Sequence, residues 1–274
     1  MRGRMALAQR RAGLPRAWNM AVDEAIMTMV GRKDSPPTLR IYAWQPPGLS
    51  LGYFQRSEEV DLAACRSRGV DVVRRPTGGR AILHDQEVTY SLSLPEDLPW
   101  LPRGVTEAYR LIAGGLVRGL QAPGGPRRKW PLPPTARPAG SLARRPLASM
   151  PPVGYEIVAR GRKLVGSAQT RRRRAVLQHG SIPLKLQAEE LFALLHFADP
   201  GERSRGERLF CGQGDFPRRA VGVSLGSMMF GLAIVRGLGE ELGVAFDAGV
   251  PSAPPKRSWR ASWCGENMRM RNGI

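Results

Sequence analysis

Short runs of alternating apolar and polar residues, separated by glycine and proline turns, constrain the fold of this chain most. Such alternation predicts strands, because successive side chains of a strand point to opposite faces. Strand-like runs occupy 38–44, 49–54, 70–74, 81–83, 88–94, 155–159, 163–168 and 175–182. Helical spacing predicts helices at 18–30, 58–67, 106–120, 188–197 and 227–242. This order predicts an α+β fold, with a mixed or antiparallel sheet flanked by helices rather than a doubly wound parallel sheet.

The 274 residues are enough to bury a sizeable core, and the composition argues against several classes of protein. No apolar run approaches the ~20 residues that a membrane-spanning helix needs. The basic N-terminus lacks the continuous apolar segment of a signal peptide. The three cysteines are widely spaced, so neither a disulfide framework nor a metal site is expected. We therefore predict a cytoplasmic protein, without membrane attachment, that acts as a monomer.

The charge of the chain is strongly positive. The formal net charge is +19, and the 42 basic residues comprise 37 arginines and only five lysines. This charge would attract an acidic partner, although a general drift of the composition towards arginine explains many of the clusters. Nucleic-acid binding is an alternative, but the sequence offers no recognition motif and few aromatic residues between its arginines.

Four regions divide the chain. From the N-terminus they are a basic leader at 1–16, a main domain at 17–190 that contains a Pro- and Arg-rich loop at 126–153, a small helical extension at 191–250 and a disordered tail at 251–274. The loop and the tail are poor in large aliphatic residues, and such segments cannot bury enough apolar surface to order themselves.

Three segments carry residues suited to chemistry. They are 19–25 (NMAVDEA), 74–91 (RRPTGGRAILHDQEVTYS) and 155–184 (YEIVARGRKLVGSAQTRRRRAVLQHGSIPL). In the second segment, Gly78 and Gly79 let a ligand approach the backbone closely, or let the chain adopt a positive φ. The arginines beside this pair can neutralise a phosphate or position a carbonyl. Because a Gly-Gly bend by itself is most simply a hairpin turn, the three segments must be judged together.

In order and spacing, the three segments resemble the lipoate-protein ligase and octanoyltransferase family, within the biotin/lipoate A/B protein ligase superfamily. The GGR after the arginine pair is most similar to the octanoyltransferases that work through a cysteine thioester. The resemblance covers about residues 16–190. It implies a lipoate/biotin protein ligase-like fold and an enzyme that attaches octanoyl or lipoyl groups to the acceptor lysine of lipoyl carrier domains, namely the glycine cleavage H protein and the E2 subunits of 2-oxoacid dehydrogenases.

The resemblance also implies a set of site residues. Lys163 falls on the family's KxxGSAQ-like segment, where an ammonium would stabilise the oxyanion that develops during acyl transfer. Together with His84 it makes up the predicted catalytic pair, although His84 could equally be structural. The predicted substrate-binding residues are Arg75, Thr77, Gly78, Gly79, Arg80, Gly166, Ser167, Ala168 and His179. For His179, a buried structural role is as plausible as a substrate contact, and the run 171–174 is either a solvated turn or a docking patch for an acidic carrier domain.

The family's nucleophilic cysteine has no counterpart in this chain. Its position, seven residues before Tyr155, is occupied by Ala148, with Ser149 beside it. An unassisted serine is a weak nucleophile, so Ser149 is a poor substitute. Three interpretations stay open: an ATP-dependent ligase without a protein nucleophile, an inactive relative that only binds the carrier domain, or another cysteine brought into reach by the fold, of which Cys211 is the strongest candidate.

No permanently bound cofactor is expected. The resemblance implies that an octanoyl-carrier protein serves as the acyl donor, or lipoate with ATP and Mg²⁺ in the ligase alternative. Acyl carrier protein and acidic lipoyl domains are therefore the expected partners. We expect the acyl chain to lie in an apolar tunnel formed by strands that hold residues such as Leu39, Ile41 and Leu51.

Overall fold

The computed structural model describes residues 3–9, 16–121, 135–138, 155–159, 162–185, 187–197, 199–213 and 223–248. The strands are β1 (Arg4–Gln9), β2 (Thr38–Tyr42), β3 (Gly48–Leu51), β4 (Asp71–Arg74), β5 (Ile82–His84), β6 (Glu87–Pro95), β7 (Thr135–Pro138), β8 (Tyr155–Ala159), β9 (Arg162–Arg172), β10 (Ala175–Pro183) and β11 (Ala245–Ala248). The helices are α1 (Arg16–Arg32), α2 (Leu62–Ser67), α3 (Val105–Gln121), α4 (Ala188–Phe192), α5 (Pro200–Gln213) and α6 (Val223–Leu242).

Two sheets organise these described elements. The main sheet has eight strands in the order β11-β1-β2-β6-β10-β9-β8-β7, and a second sheet has three in the order β4-β3-β5. In the main sheet β1 runs parallel to β2 and β11, whereas the other neighbours are antiparallel. The second sheet is also mixed. The predicted α+β class, with a mixed sheet flanked by helices, is therefore confirmed.

The main sheet has an apolar face and a polar face, and β2 shows why. Its residues alternate, so Leu39 and Ile41 join the large core cluster that also contains residues of α3 and α6. Arg40 and Tyr42 point the other way, towards Asp23 on α1. Helices α3 and α6 thus cover the apolar face, while α1 lies on the polar face.

Helices α3 and α6 approach each other very closely on the apolar face. A Cβ on Gly237 of α6 would lie 2.2 Å from the backbone nitrogen of Gly119 on α3. No residue other than glycine fits there without moving a helix. The region predicted as a separate helical extension at 191–250 therefore contributes to the main core.

The predicted leader and extension differ from the structure for one shared reason. Arg4–Gln9 forms β1, which lies between β2 and β11 in the main sheet. Arg4 also forms an ion pair with Asp247 of β11. Strands β1 and β11 therefore complete the sheet of the main domain. A six-residue strand flanked by arginines is hard to recognise, because its pairing partners lie far away in sequence.

The remaining predictions about organisation lie partly outside the described residues. Of the loop at 126–153, the structure describes 135–138, which forms strand β7 paired with β8. The tail at 251–274 lies outside the description. Helix α5 was not predicted, and the backbone of Cys211 belongs to it. Within the described part of the chain, no helix is both long and apolar enough to cross a membrane.

Candidate functional site

The glycine bend, residues 77–80, is positioned by close backbone packing. A Cβ on Gly52 would lie 1.8 Å from the carbonyl oxygen of Gly79, so only glycine permits this contact. Gly79 itself has a φ of +99°, which favours glycine. In addition, the backbone N–H of Tyr53 donates to the carbonyl of Thr77 at 2.8 Å. The end of β3 therefore fixes the bend, and Gly52 is a site residue that sequence reasoning missed.

Arg75 holds the bend from beneath. Its guanidinium donates to the carbonyls of Gly78 and Arg80 at 2.8 Å each, and to the carbonyl of Ser50 at 3.0 Å. The side chain is buried, and this burial lowers the pKa of Arg75 to about 10, so it remains protonated at neutral pH. Arg75 was predicted to bind substrate, but its N–H groups are used within the protein. Its contribution is to shape the bend and to place a positive charge under it.

A buried ionic cluster links α1 to the polar face. Asp23 accepts hydrogen bonds from Arg40 and from the Tyr42 hydroxyl, both at 2.7 Å. Burial raises the pKa of Asp23, but the charge of Arg40 and the hydrogen bonds outweigh it and leave the pKa below its ordinary value. Arg40 also donates to the side-chain oxygen of Asn19 at 2.6 Å. The segment 19–25 thus serves to anchor α1 on the sheet.

His179 connects this ionic cluster to the glycine bend. Its Nδ1 lies 3.5 Å from Oδ2 of Asp23, and its Nε2 lies 2.6 Å from Oγ1 of Thr77. Burial lowers the pKa of His179, so the neutral form predominates at pH 7. A neutral ring that donates from Nδ1 to the carboxylate accepts at Nε2 from the Thr77 hydroxyl. Both ring nitrogens are therefore used to hold the bend against β10.

His84 lies apart from the bend and is also fully engaged. Its Nδ1 donates to Oε1 of Glu87 at 2.8 Å, and its Nε2 lies 2.7 Å from Oγ of Ser50. The ring stacks on Trp44, with centroids 4.2 Å apart. A base needs a ring nitrogen that can reach the substrate, and these contacts leave none available. These contacts join β3, β5 and β6, and the catalytic role of His84 stays a prediction.

Lys163 extends over the polar face of the main sheet. A Cβ on Gly166 would have the Cε of Lys163 at 3.9 Å, with no other described atom within 4 Å. Gly166 pairs with Ser181 on β10, and directly paired residues of antiparallel strands point to the same side. Ser181 lies on the polar face, where its hydroxyl donates to Glu87. The Cε end of the Lys163 side chain is therefore on the face that carries the glycine bend.

Ala168 and Ser167 face opposite sides of β9. Ala168 pairs with His179, which contacts the bend, so its methyl group lies on the polar face. Ser167 points to the apolar face, where its Oγ accepts from the Tyr90 hydroxyl at 2.8 Å. The alternation of the strand thus turns the partly buried Ser167 side chain away from the face that carries the glycine bend, and its part in substrate binding stays a prediction.

We call the space over Gly166 on the polar face the slot. Among described atoms outside the neighbouring residues, only Cε of Lys163 lies within 4 Å of a Cβ built on Gly166, and none lies within 4 Å of a Cβ built on Gly78. Gly166 and Ala168 of β9 lie on this face, together with His179, which contacts the bend through Thr77.

The apolar walls near the slot differ from those predicted. Leu39 and Ile41 pack on the opposite face of the sheet, and Leu51 belongs to a separate cluster under the second sheet. The apolar residues beside the ionic cluster and the bend are instead Met20, Tyr42, Trp44 and Val73. Alternation tells which residues share a face but not on which face an acyl chain lies, so the location of the tunnel stays a prediction.

The described residues also limit where a nucleophile could come from. Cys65 is buried among apolar side chains on α2, and burial raises the pKa of its thiol, which disfavours the reactive thiolate. The side chain of Cys211 lies outside the description, as do Cys264, Ala148 and Ser149.

Residues 15–211 match the sequence profile of the lipoyl protein ligase A/B catalytic domain. This match spans well over half of the chain. The chain belongs to the lipoyl protein ligase A/B family. Curated relatives agree with the assignment. Octanoyltransferase LipM of Kyrpidia tusciae is 45% identical over 249 residues, 88% of this chain and 89% of that protein. Octanoyltransferase LipM of Geobacillus kaustophilus is 45% identical, over 77% of this chain and 74% of that protein.

Solved structures of lipoate-protein ligases have the same fold as this family member. One is the bipartite lipoate protein ligase of Thermoplasma acidophilum, from an archaeal lipoylation system that includes its E2 lipoyl domain. It has a TM-score of 0.67 and 25% identity, covering 90% of this chain and 86% of that one. A lipoate-protein ligase A bound with ATP has a TM-score of 0.65 and 26% identity, covering 91% and 89%. The predicted lipoate ligase-like fold is thereby confirmed.

Proposed function

We propose that this protein transfers an octanoyl or lipoyl group to the acceptor lysine of a lipoyl carrier domain. The octanoyltransferase relatives support this reaction class. The observation that carries the proposal is the position of Lys163, whose Cε lies over the space left by Gly166 on the face that holds the glycine bend. A cation at the end of an open slot is suited to stabilise an acyl carbonyl as its oxygen becomes negative.

The chemistry requires a neutral amine and an electrophilic carbonyl. A lysine ammonium has an ordinary pKa of about 10.4, so the acceptor must lose a proton before it attacks. The amine nitrogen then forms a bond to the acyl carbon, the carbonyl oxygen becomes an oxyanion, and the bond from the acyl carbon to the donor group breaks. Lys163 stabilises the oxyanion, while the buried positive charge of Arg75 beneath the bend adds to the local field.

The acyl group comes from the donor directly in this proposal, without a covalent intermediate on the protein. Ala148 occupies the position of the family cysteine, and Cys65 is buried away from the slot among the residues of a separate cluster. An octanoyl thioester of acyl carrier protein is the proposed donor. Its thiol leaves as the thiolate and takes up the proton that the amine releases.

A second candidate function is ATP-dependent lipoate ligation. It is favoured by the likeness to a lipoate-protein ligase A bound with ATP. In that route lipoate, ATP and Mg²⁺ are substrates, and adenylate is the leaving group. A third possibility, a relative that binds the carrier domain without acylating it, follows from Ala148 and makes a different prediction, namely a complex without turnover.

The test uses the purified full chain and an unmodified lipoyl domain. Intact mass of the lipoyl domain is followed separately with octanoyl-acyl carrier protein and with lipoate plus ATP and Mg²⁺. We expect acylation with the first donor, and a loss of about 100- to 1000-fold in kcat/KM for Lys163→Ala, the size seen when an oxyanion-stabilising group is removed. Lys33→Ala is the matched control, because Lys33 forms an exposed ion pair with Asp97.

The outcomes separate the candidates. Modification only with lipoate, ATP and Mg²⁺ would identify a ligase. Binding without modification by either donor would identify an inactive relative. Full activity of Lys163→Ala would refute the part assigned to the lysine. The monomeric state, the cytoplasmic location and the acidic character of the carrier partner stay predictions from the sequence.

A further inference from the structure

Two large aromatic side chains are exposed directly after β3. Phe54 is 73% exposed and Tyr53 is 40% exposed, and their rings meet edge to face with centroids 4.9 Å apart. A phenylalanine side chain that stays exposed to water contributes no burial free energy to folding. Adjacent exposed aromatics that are already packed on each other are typical of the anchor residues of protein interfaces.

This aromatic pair lies at the glycine bend. The N–H of Tyr53 donates to the carbonyl of Thr77, and the preceding residue, Gly52, packs its backbone on Gly79. The Thr77 side chain in turn contacts His179 on the polar face, the face that also carries the Lys163 side chain. A partner seated on the aromatic pair would therefore lie beside the bend, at the edge of this face.

Arginines surround the pair. The guanidinium of Arg172 lies 4.0 Å from the centre of the Tyr53 ring, a cation–π contact. Arg74 donates to the carbonyls of Gly52, Tyr53 and Gln55 at 2.6 to 3.2 Å, which holds its charge against the backbone of the same segment. No carboxylate in the described part of the chain forms an ion pair with either arginine.

Two further arginines lie at the margin, and each is partly neutralised. Arg80 pairs with Glu59 at 3.2 Å, and Arg56 pairs with Glu58 at 3.4 Å. Arg56, Glu58 and Arg80 are exposed, and Glu59 is partly exposed. The surface around the aromatic pair thus has an apolar centre and a positive excess, which comes from Arg74 and Arg172.

We propose that this surface docks the acceptor carrier domain through an acidic face with an apolar centre. We call it the entrance patch and define it as Tyr53, Phe54, Arg74, Arg80 and Arg172. The inference rests on the proposed function, because the partner is the protein that brings its lysine to the slot. A second copy of this chain is a poor occupant, since it would bring its own net charge of +19 to a surface that is already positive.

The docking role gives different expectations for the centre and the edge of the patch. Phe54→Ala removes the apolar anchor, and we expect the Kd for an unmodified lipoyl domain to rise at least about tenfold, as for interface hot spots. Arg172→Glu reverses a charge that steers the encounter. We expect this variant to lower the association rate and to weaken its dependence on salt. Both are measured with the full chain by surface-immobilised binding at several salt concentrations.

Matched controls come from the opposite side of the sheet. Leu232 is 56% exposed on α6, and Arg236 forms an exposed pair with Glu240 on the same helix. Leu232→Ala and Arg236→Glu change the same kinds of surface as the two patch variants. If either control reduces binding as much as its counterpart, a general surface effect is at work and the assignment of the patch is overturned.

A second readout separates docking from chemistry. A short peptide around the acceptor lysine cannot cover the patch, so Phe54→Ala should acylate it at the wild-type rate while showing a raised KM for the whole domain. Equal losses with peptide and domain would place Phe54 in the chemistry and refute docking. If wild type acylates the domain but Phe54→Ala binds it unchanged, the docking inference fails and the proposed function stands. If wild type neither binds nor acylates any lipoyl domain, the proposed function fails first.

Discussion

The buried ionic cluster around Asp23 offers a prediction whose size follows from the structure. Asp23 is fully buried and Arg40 is 2% exposed, so neither charge is solvated by water. In Asp23→Asn the guanidinium would face an amide in place of a carboxylate. Breaking one partner of a buried pair costs about 3–5 kcal/mol. Because Arg40 keeps its bonds to Asn19, we expect about 3 kcal/mol, a large part of the ~5–15 kcal/mol that holds a typical domain folded.

The assay is urea unfolding at pH 7, with the unfolding free energy taken from the midpoint and slope of the transition. The control is Asp97→Asn, which removes an ion pair between half-exposed side chains, and such pairs contribute about 0–1 kcal/mol. Combining Asp23→Asn with Arg40→Met removes the buried charge that Asp23→Asn leaves without its partner. The double variant should therefore lose less unfolding free energy than the sum of the losses of the two single variants. The reasoning is refuted if Asp23→Asn loses less than about 1 kcal/mol, or if the two substitutions are additive.

The same cluster gives a pH dependence. The folded-state pKa of Asp23 is lowered, so its contribution is fully present above the ordinary aspartate pKa of about 3.9 and is lost as pH falls through the lowered value. The pKa of His179 is also lowered, here by burial. The unfolded chain therefore takes up a proton below about pH 6.5 that the folded chain resists, and stability declines as pH falls from there. In His179→Gln, which cannot titrate at this position, the unfolding free energy should lack the decline that begins near pH 6.5. An unchanged dependence of the unfolding free energy on pH would contradict the part assigned to His179.

Three further substitutions test the slot, the bend and the missing nucleophile. Gly166→Ala adds a methyl group whose only described neighbour within 4 Å is Lys163, so thermal stability should change by less than about 0.5 kcal/mol while kcat/KM for acyl transfer falls; retained activity would show that this space is not used. Gly52→Ala forces the backbone of Gly79 to move, and we expect about 1–3 kcal/mol of destabilisation in a urea titration; a neutral effect would contradict the packing described. Ala148→Cys should gain one hydroxylamine-sensitive octanoyl group in intact mass after incubation with octanoyl-acyl carrier protein, and wild type none; an adduct on wild type would reveal a nucleophile elsewhere.

Local patterns predicted most of the elements. The alternation of 38–44 and 88–94, for example, corresponds to β2 and β6, and 106–120 corresponds closely to α3. Strands β1 and β11 were missed, because each is short and becomes recognisable only through its pairing, β11 with β1 across more than two hundred residues and β1 also with β2. Helix α5 was missed because its sequence, PGERSRGERLFCGQ, has few apolar residues and three glycines.

In the site, too, some features follow from local sequence and others depend on contacts between distant segments. The motifs identified the family, whereas the catalytic role of Lys163 stays a prediction. Sequence could not tell that the Arg75 and His179 side chains are used up inside the protein, since hydrogen-bond partners such as Ser50 and Thr77 come from other segments. The parts played by Gly52 and Arg40 were also hidden, although an arginine in the middle of the strand TLRIY was a usable signal for a buried ionic partner.

The sequence by itself determined the class of fold, the family and the glycine bend, because periodicity, turn chemistry and residue spacing are local properties of the chain. Only the tertiary structure decided which side chains share the face that holds the glycine bend and which of them are taken up by contacts within the protein. The physical reason is that burial and hydrogen bonding depend on neighbours that are distant in sequence: Leu39 and Arg40 are adjacent in the chain, yet one packs in the core beneath α3 and α6 and the other pairs with Asp23 behind the slot.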